Sequence, residues 1–179
     1  MYRRFVSPVL LTVALLLGST GPARAVYPPP LKDDGKFFGK EAVDKANRKI
    51  RELYEKYRKD VIVETLATLT PEQEKMAREE DDRGRFFAKL TLDRSRELGL
   101  NGVYILIVKK PRYLRIHMDP ETQKTTFSAA SRTKTLTAIT EKFKEGSFDA
   151  GLLAGLDAIE ASFKGATAPT NKGTGTLKK

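Results

Sequence analysis

Three acids, one histidine and one run of cations are the residues whose types could do chemistry in this sequence. Asp119 and Glu121 flank Pro120 at the end of an alternating stretch, Tyr113 to Met118. Two carboxylates so placed offer the hard oxygens that hold Ca2+ or Mg2+. Glu64 lies inside the apolar run from Val61 to Leu69, and a carboxylate buried there needs a partner, which makes it a third candidate metal ligand. The plainer readings stand beside these: a polar loop start for Asp119 and Glu121, and for Glu64 a strand-end residue that reaches solvent. His117 is the single histidine. With no nucleophile elbow and no second histidine nearby, it reads as a half-solvated strand residue. Lys109-Lys110-Pro111-Arg112 sets three cations, Lys109, Lys110 and Arg112, at one corner. Such a surface attracts anions and cannot itself coordinate a metal.

The remaining motifs exclude more than they suggest. Glu79-Glu80-Asp81-Asp82 lacks the alternation of a calcium-binding loop and reads as a solvated helix turn. Gly151 and Gly155 have the spacing of a membrane-helix dimer motif. Asp149, Asp157 and Glu160 share their helix, so close packing against the sheet is the better account. No phosphate-cradling loop, dinucleotide fingerprint, serine elbow or paired-histidine zinc motif is present. The chain has no cysteine, which removes thiol chemistry and cysteine-ligated zinc and leaves stability to the core.

These residues need elements to hold them. Val43, Ala46, Ile50, Leu53 and Tyr57 recur at helical spacing, with Glu–Lys pairs four apart on the other face. The β-branched run after Asp60 predicts a buried strand. Thr70-Pro71-Glu72-Gln73 predicts a capped helix start, followed by helix with a break near Gly84 and a close at Gly99. Val103 to Val108 is apolar at every position, as in a strand covered on both faces. Leu114, Ile116 and Met118 alternate with wetter residues, so the cationic corner is a four-residue hairpin turn with Pro111 where a donor is not needed. Residues 128 to 146 predict a helix bearing Leu136, Ile139 and Phe143 on one side. After Gly146, Ser147 starts another with Phe148, Leu152, Leu156, Ile159 and Phe163 in line. Strand, helical crossover, parallel strand, hairpin and two helices make an α/β domain, a three-layer αβα sandwich with a small mixed β-sheet.

The ends carry other information. Arg3, Arg4, the apolar stretch Val9 to Leu17 and the small-x-small site Ala23-Arg24-Ala25 read as a cleaved secretory signal over residues 1–25, with a non-cleaved anchor as the alternative. The chain is therefore expected to be exported, with periplasmic or extracellular residence. Residues 26–36, with three successive prolines, read as an extended spacer, 37–163 as the folded domain, and 165–179 as a disordered basic tail. The net charge is +10; setting aside three arginines of the signal and four lysines from Lys164 onward leaves +3. That residue gives no claim on nucleic acid. The tail lysines support only a weak contact with anionic membrane.

Two segments together resemble the TPM-domain family of thylakoid-lumen phosphatase-like and bacterial exported proteins. One is the Asn101-Gly102-Val103 start, apolar strand and Arg115-Ile116 hairpin; the other is "FKEGSFDAGLLAGLDAI", residues 143 to 159. The resemblance implies an αβα sandwich and, in members that carry the acids, divalent-metal-dependent phosphatase activity. Those members have acids at the hairpin turn, a Gly-Tyr-Gly-type loop bearing a glutamate, and an aspartate before the next helix. Here the corresponding residues are the cationic corner, "MDPETQKTTF" and Ser128. The expectation is therefore a non-catalytic binding or accessory module with an envelope protein partner. The alternative is a phosphatase using Asp119, Glu121 and Glu64.

Overall fold

The computed structural model describes residues 27–79 and 83–167. The segment read as a signal, most of the four-acid run and most of the basic tail lie outside these residues. A four-stranded sheet has the spatial order β1 (Lys32–Asp33), β2 (Asp60–Thr68), β3 (Gly102–Lys110), β4 (Tyr113–Met118). The first three strands are parallel and β4 is antiparallel to β3, so the sheet is mixed. α1 (Lys40–Tyr57) connects β1 to β2. α2 (Pro71–Glu79) and α3 (Arg83–Glu97) form the crossover to β3. α4 (Pro120–Thr125), α5 (Ala129–Lys144) and α6 (Phe148–Thr167) follow β4.

The alternation of β3 explains the layers. Val103, Ile105 and Ile107 join Ile50, Leu53, Ile139, Leu156 and Phe163 in one core, under α1, α5 and α6. Tyr104, Leu106 and Val108 join Phe86 and Phe87 in a second, under α2 and α3. A strand sealed on both faces has no polar side to show, which is why its sequence is an unbroken apolar run. The three-layer sandwich is the architecture expected.

Local signals hold where local chemistry suffices. The Thr70 hydroxyl accepts from Gln73 N, and the Gln73 side chain accepts from Thr70 N, closing the capping box of α2. Gly99 and Gly146 adopt left-handed backbones at the ends of α3 and α5. Four details differ from expectation. Lys32 and Asp33, read as spacer, pair with Glu64 and Thr65 as a short edge strand. α6 runs on to Thr167, into the segment read as tail. The hairpin needs only Pro111 and Arg112 between strands, because β3 extends through Lys110. Gly151 and Gly155 face α5 and not the sheet: a Cβ on either would lie 2.6 Å from Phe143 or Ile139.

α1 and α6 are tied by polar contacts. Asp149, at the start of α6, accepts from Gly39 N at 2.8 Å, just before α1. Lys49 on α1 bridges Asp157 and Glu160 on α6.

Candidate functional site

The structure sets Glu64 apart from the other two candidate acids, Asp119 and Glu121, which share the start of one helix. Glu64, in mid-β2, is buried, which corrects the expectation that it reaches solvent. Arg94 on α3 donates to both of its oxygens, at 3.2 and 2.7 Å, and the Tyr104 hydroxyl donates at 2.6 Å. Burial alone would push this carboxyl up; the hydrogen bonds from Arg94 and Tyr104 outweigh burial and hold it below its ordinary value. Burial, with the Glu64 carboxylate beside it, pushes the Tyr104 phenol up, so it remains a donor. The carboxylate is therefore part of a closed ion pair.

Asp119 is the N-cap of α4, a helix not expected from sequence. Its Oδ1 accepts from Glu121 N and Thr122 N at 2.9 and 3.0 Å. Burial opposes ionisation there, but hydrogen bonds from Thr122 and Glu121 keep the carboxyl low. Glu121 is exposed in the first turn of α4. Glu64 is registered against Leu106 in the middle of β3, whereas Asp119 N donates to Gly102 O at the start of that strand. Four residues of strand, about 13 Å, lie between those positions, whereas carboxylates sharing a cation stand about 5 Å apart. Glu64 and Asp119 thus share no coordination sphere. Among the described residues no three His, Asp or Glu side chains gather to hold a metal ion. His117 is half-buried beside Arg115, and burial together with that cation lowers its pKa.

At the other end of the sheet, the C-terminal end of the parallel strands, the cationic corner opens onto a cleft of about 640 Å³. Lys109 and Arg112 line it, and Lys110, pointing to the opposite face, does not. Lys36 from the β1–α1 loop and Lys144 from the last turn of α5 bring the cations to four, with no acid in the lining. Phe37, Phe143 and Phe148 form an aromatic wall, with ring centroids 5.0–6.2 Å apart. The Lys109 ammonium lies 5.5 Å from the Phe37 ring and donates to Gly35 O.

The loop before α1 is built to present two of these residues. Asp33 accepts from Phe37 N, Phe38 N and the Thr65 hydroxyl, at 2.6–3.0 Å. Gly35 passes so close that a Cβ would lie 2.8 Å from the Phe37 ring. Sequence reasoning found Lys109 and Arg112 but missed Lys36, Lys144 and the three phenylalanines. The signal was a lysine beside an aromatic near a glycine turn, in Gly35-Lys36-Phe37 and again in Phe143-Lys144 before Gly146. Nothing local says that these two turns meet.

The order of elements, the parallel β2–β3 pair, the hairpin and the α5–α6 ending together fit one family. Its profile, described as the TPM domain, matches residues 31–162. The chain belongs to the TPM domain family. The TPM domain match begins with Leu31, at the short strand that joins the sheet. Among solved structures, the N-terminal domain of a protein from P. gingivalis is similar at 17% identity and a TM-score of 0.61, covering 79% of this chain and 85% of that one. The N-terminal domain of the cg2496 protein from Corynebacterium glutamicum is similar at 11% identity and a TM-score of 0.56, with the same two coverages. The BA42 protein from Bizionia argentinensis matches at 18% identity and a TM-score of 0.54, covering 73% of this chain and 84% of that one. At these identities the likeness concerns the TPM fold. No curated protein matches the chain.

Proposed function

We propose that this TPM domain is a non-catalytic binding or accessory module, exported to the cell envelope, that engages a partner through its cationic corner. One observation carries the reading: the cleft at the C-terminal end of the parallel strands, where open α/β sheets receive ligands, is lined by four cations and no carboxylate. A metal-dependent phosphatase needs carboxylates to hold its cation against the phosphate. Here Glu64 is committed to Arg94 and Tyr104, and Asp119 Oδ1 to the start of α4. The signal-like N-terminus supports export, and the tail lysines add a weak attraction to anionic membrane.

The test is thermal unfolding of the chain with and without millimolar Ca2+, Mg2+ or Mn2+, paired with a phosphate-release assay. A cation at about a hundred times its Kd would stabilise by about 2.7 kcal/mol, an upward shift of several degrees in Tm. The expected result is no shift and no phosphate release with any of the three. A shift abolished by Asp119→Asn, together with metal-dependent phosphate release, would establish the phosphatase reading instead.

A further inference from the structure

We infer that the cleft seats an acidic peptide segment bearing one apolar anchor residue, a deeper statement that rests on the binding-module reading. The four cations come from three elements: Lys36 from the β1–α1 loop, Lys109 and Arg112 from the hairpin, and Lys144 from the end of α5. Cations gathered around a concave apolar wall concentrate positive potential there. Among the described residues no ion pair involves any of the four. Four dispersed cations exceed what a single small anionic head neutralises, and they match carboxylates spaced along a chain.

The aromatic wall supplies the other half of the recognition. Phe148 is 37% exposed, one of three large hydrophobic side chains so exposed among the described residues. It stands edge-on to Phe143, leaving an apolar seat between the cations. Large apolar anchors in such seats, ringed by charge, carry most of the energy of peptide recognition. A recess of this volume admits a few side chains, whereas a bilayer surface cannot follow its concavity. The loop is set in advance: Lys36 holds a left-handed backbone, φ 50°, although a glycine would adopt it more easily. Asp33 fixes the residues on its far side.

The test is fluorescence anisotropy of the full chain with a labelled probe peptide of aspartates and glutamates flanking one phenylalanine. Control probes replace the phenylalanine by alanine or the acids by their amides. Binding is expected to weaken about tenfold or more with either control, and likewise in Arg112→Glu and Lys144→Glu. It should persist in Lys89→Glu, a charge reversal on the exposed face of α3, and fall steeply from about 0.01 to about 1 M salt. Thermal unfolding of each variant confirms that it is folded. No saturable binding, or equal loss in Lys89→Glu, would overturn the proposal. So would binding to phosphatidylglycerol vesicles that the same two cleft variants abolish while the peptide does not bind, since the face would then be a membrane surface. A failed peptide titration with silent metal and phosphatase assays removes the occupant alone. A positive metal and phosphatase result removes the binding-module reading itself.

Discussion

Glu64 is the residue whose environment most clearly decides between structure and chemistry. A carboxylate inside a sheet sandwich persists only when its charge is matched, and here both oxygens are taken by Arg94 and Tyr104. Glu64→Ala would leave the phenol and two of the three guanidinium nitrogens without their acceptor, while the third keeps Glu97. The expected loss is about 2–3 kcal/mol, moderated because the Arg94 side chain is 35% exposed; urea unfolding measures it. The pH dependence has a fixed sign. The folded-state pKa of Glu64 lies below its ordinary 4.5. The ion pair's contribution is therefore fully present above about pH 4.5 and is lost as pH falls through the lowered folded value. Glu64→Gln should flatten the acid limb of the stability profile; an unchanged limb would mean the pair contributes nothing to acid sensitivity. In sequence, Glu64 stood out as an acid in an apolar run. Its partners did not, because Arg94 is one basic residue among several on a helix thirty positions away and Tyr104 is one letter in a hydrophobic strand.

At the scale of elements, α4 turns a candidate ligand into a cap. Asp119 satisfies two orphan amides at the helix start, and a cap of this kind is worth about 1 kcal/mol. Asp119→Ala should cost about that amount in chemical unfolding. Asp119→Asn, which keeps the accepting oxygen, should cost only a few tenths. If the asparagine variant loses as much as alanine, the negative charge and not the cap is what matters at this position. The spacing Asp-Pro-Glu was visible beforehand and fits a helix N-terminus as well as a metal ligand pair. The same ambiguity attends Gly151 and Gly155. Their spacing announced a close approach, but α5, through Phe143 and Ile139, is what approaches. That contact also places Phe143 against the cleft, so the packing of α5 on α6 shapes the recess.

For the whole molecule, the two ends of the sheet have different characters. Asp60 and Asp119 sit near each other at one end, where burial and then the neighbouring charge of Asp119 raise the Asp60 pKa, against the hydrogen bond from Asn101. The other end gathers cations around aromatic rings. Because those cations have no carboxylate to lose, reversing Arg112 or Lys144 should change folding stability by no more than about 0.5 kcal/mol. A thermal scan that instead fell as far as that of Glu64→Ala would mark the cleft residues as structural.

The sequence by itself determined what depends on near neighbours and on the period of apolar residues. Those features are the doubly covered strand 103–108, the capping box at Thr70, the glycine stops, the layer order and the cationic hairpin. These are readable because a turn or a helix face is set within a few residues. Only the tertiary structure decided which distant residues converge. It paired Glu64 with Arg94, made Asp119 a cap, and brought Lys36 and Lys144 to the corner held by Lys109 and Arg112. The reason is that convergence at a sheet's end follows from strand register and helix packing, in which every residue of two layers takes part. No spacing along the chain encodes it.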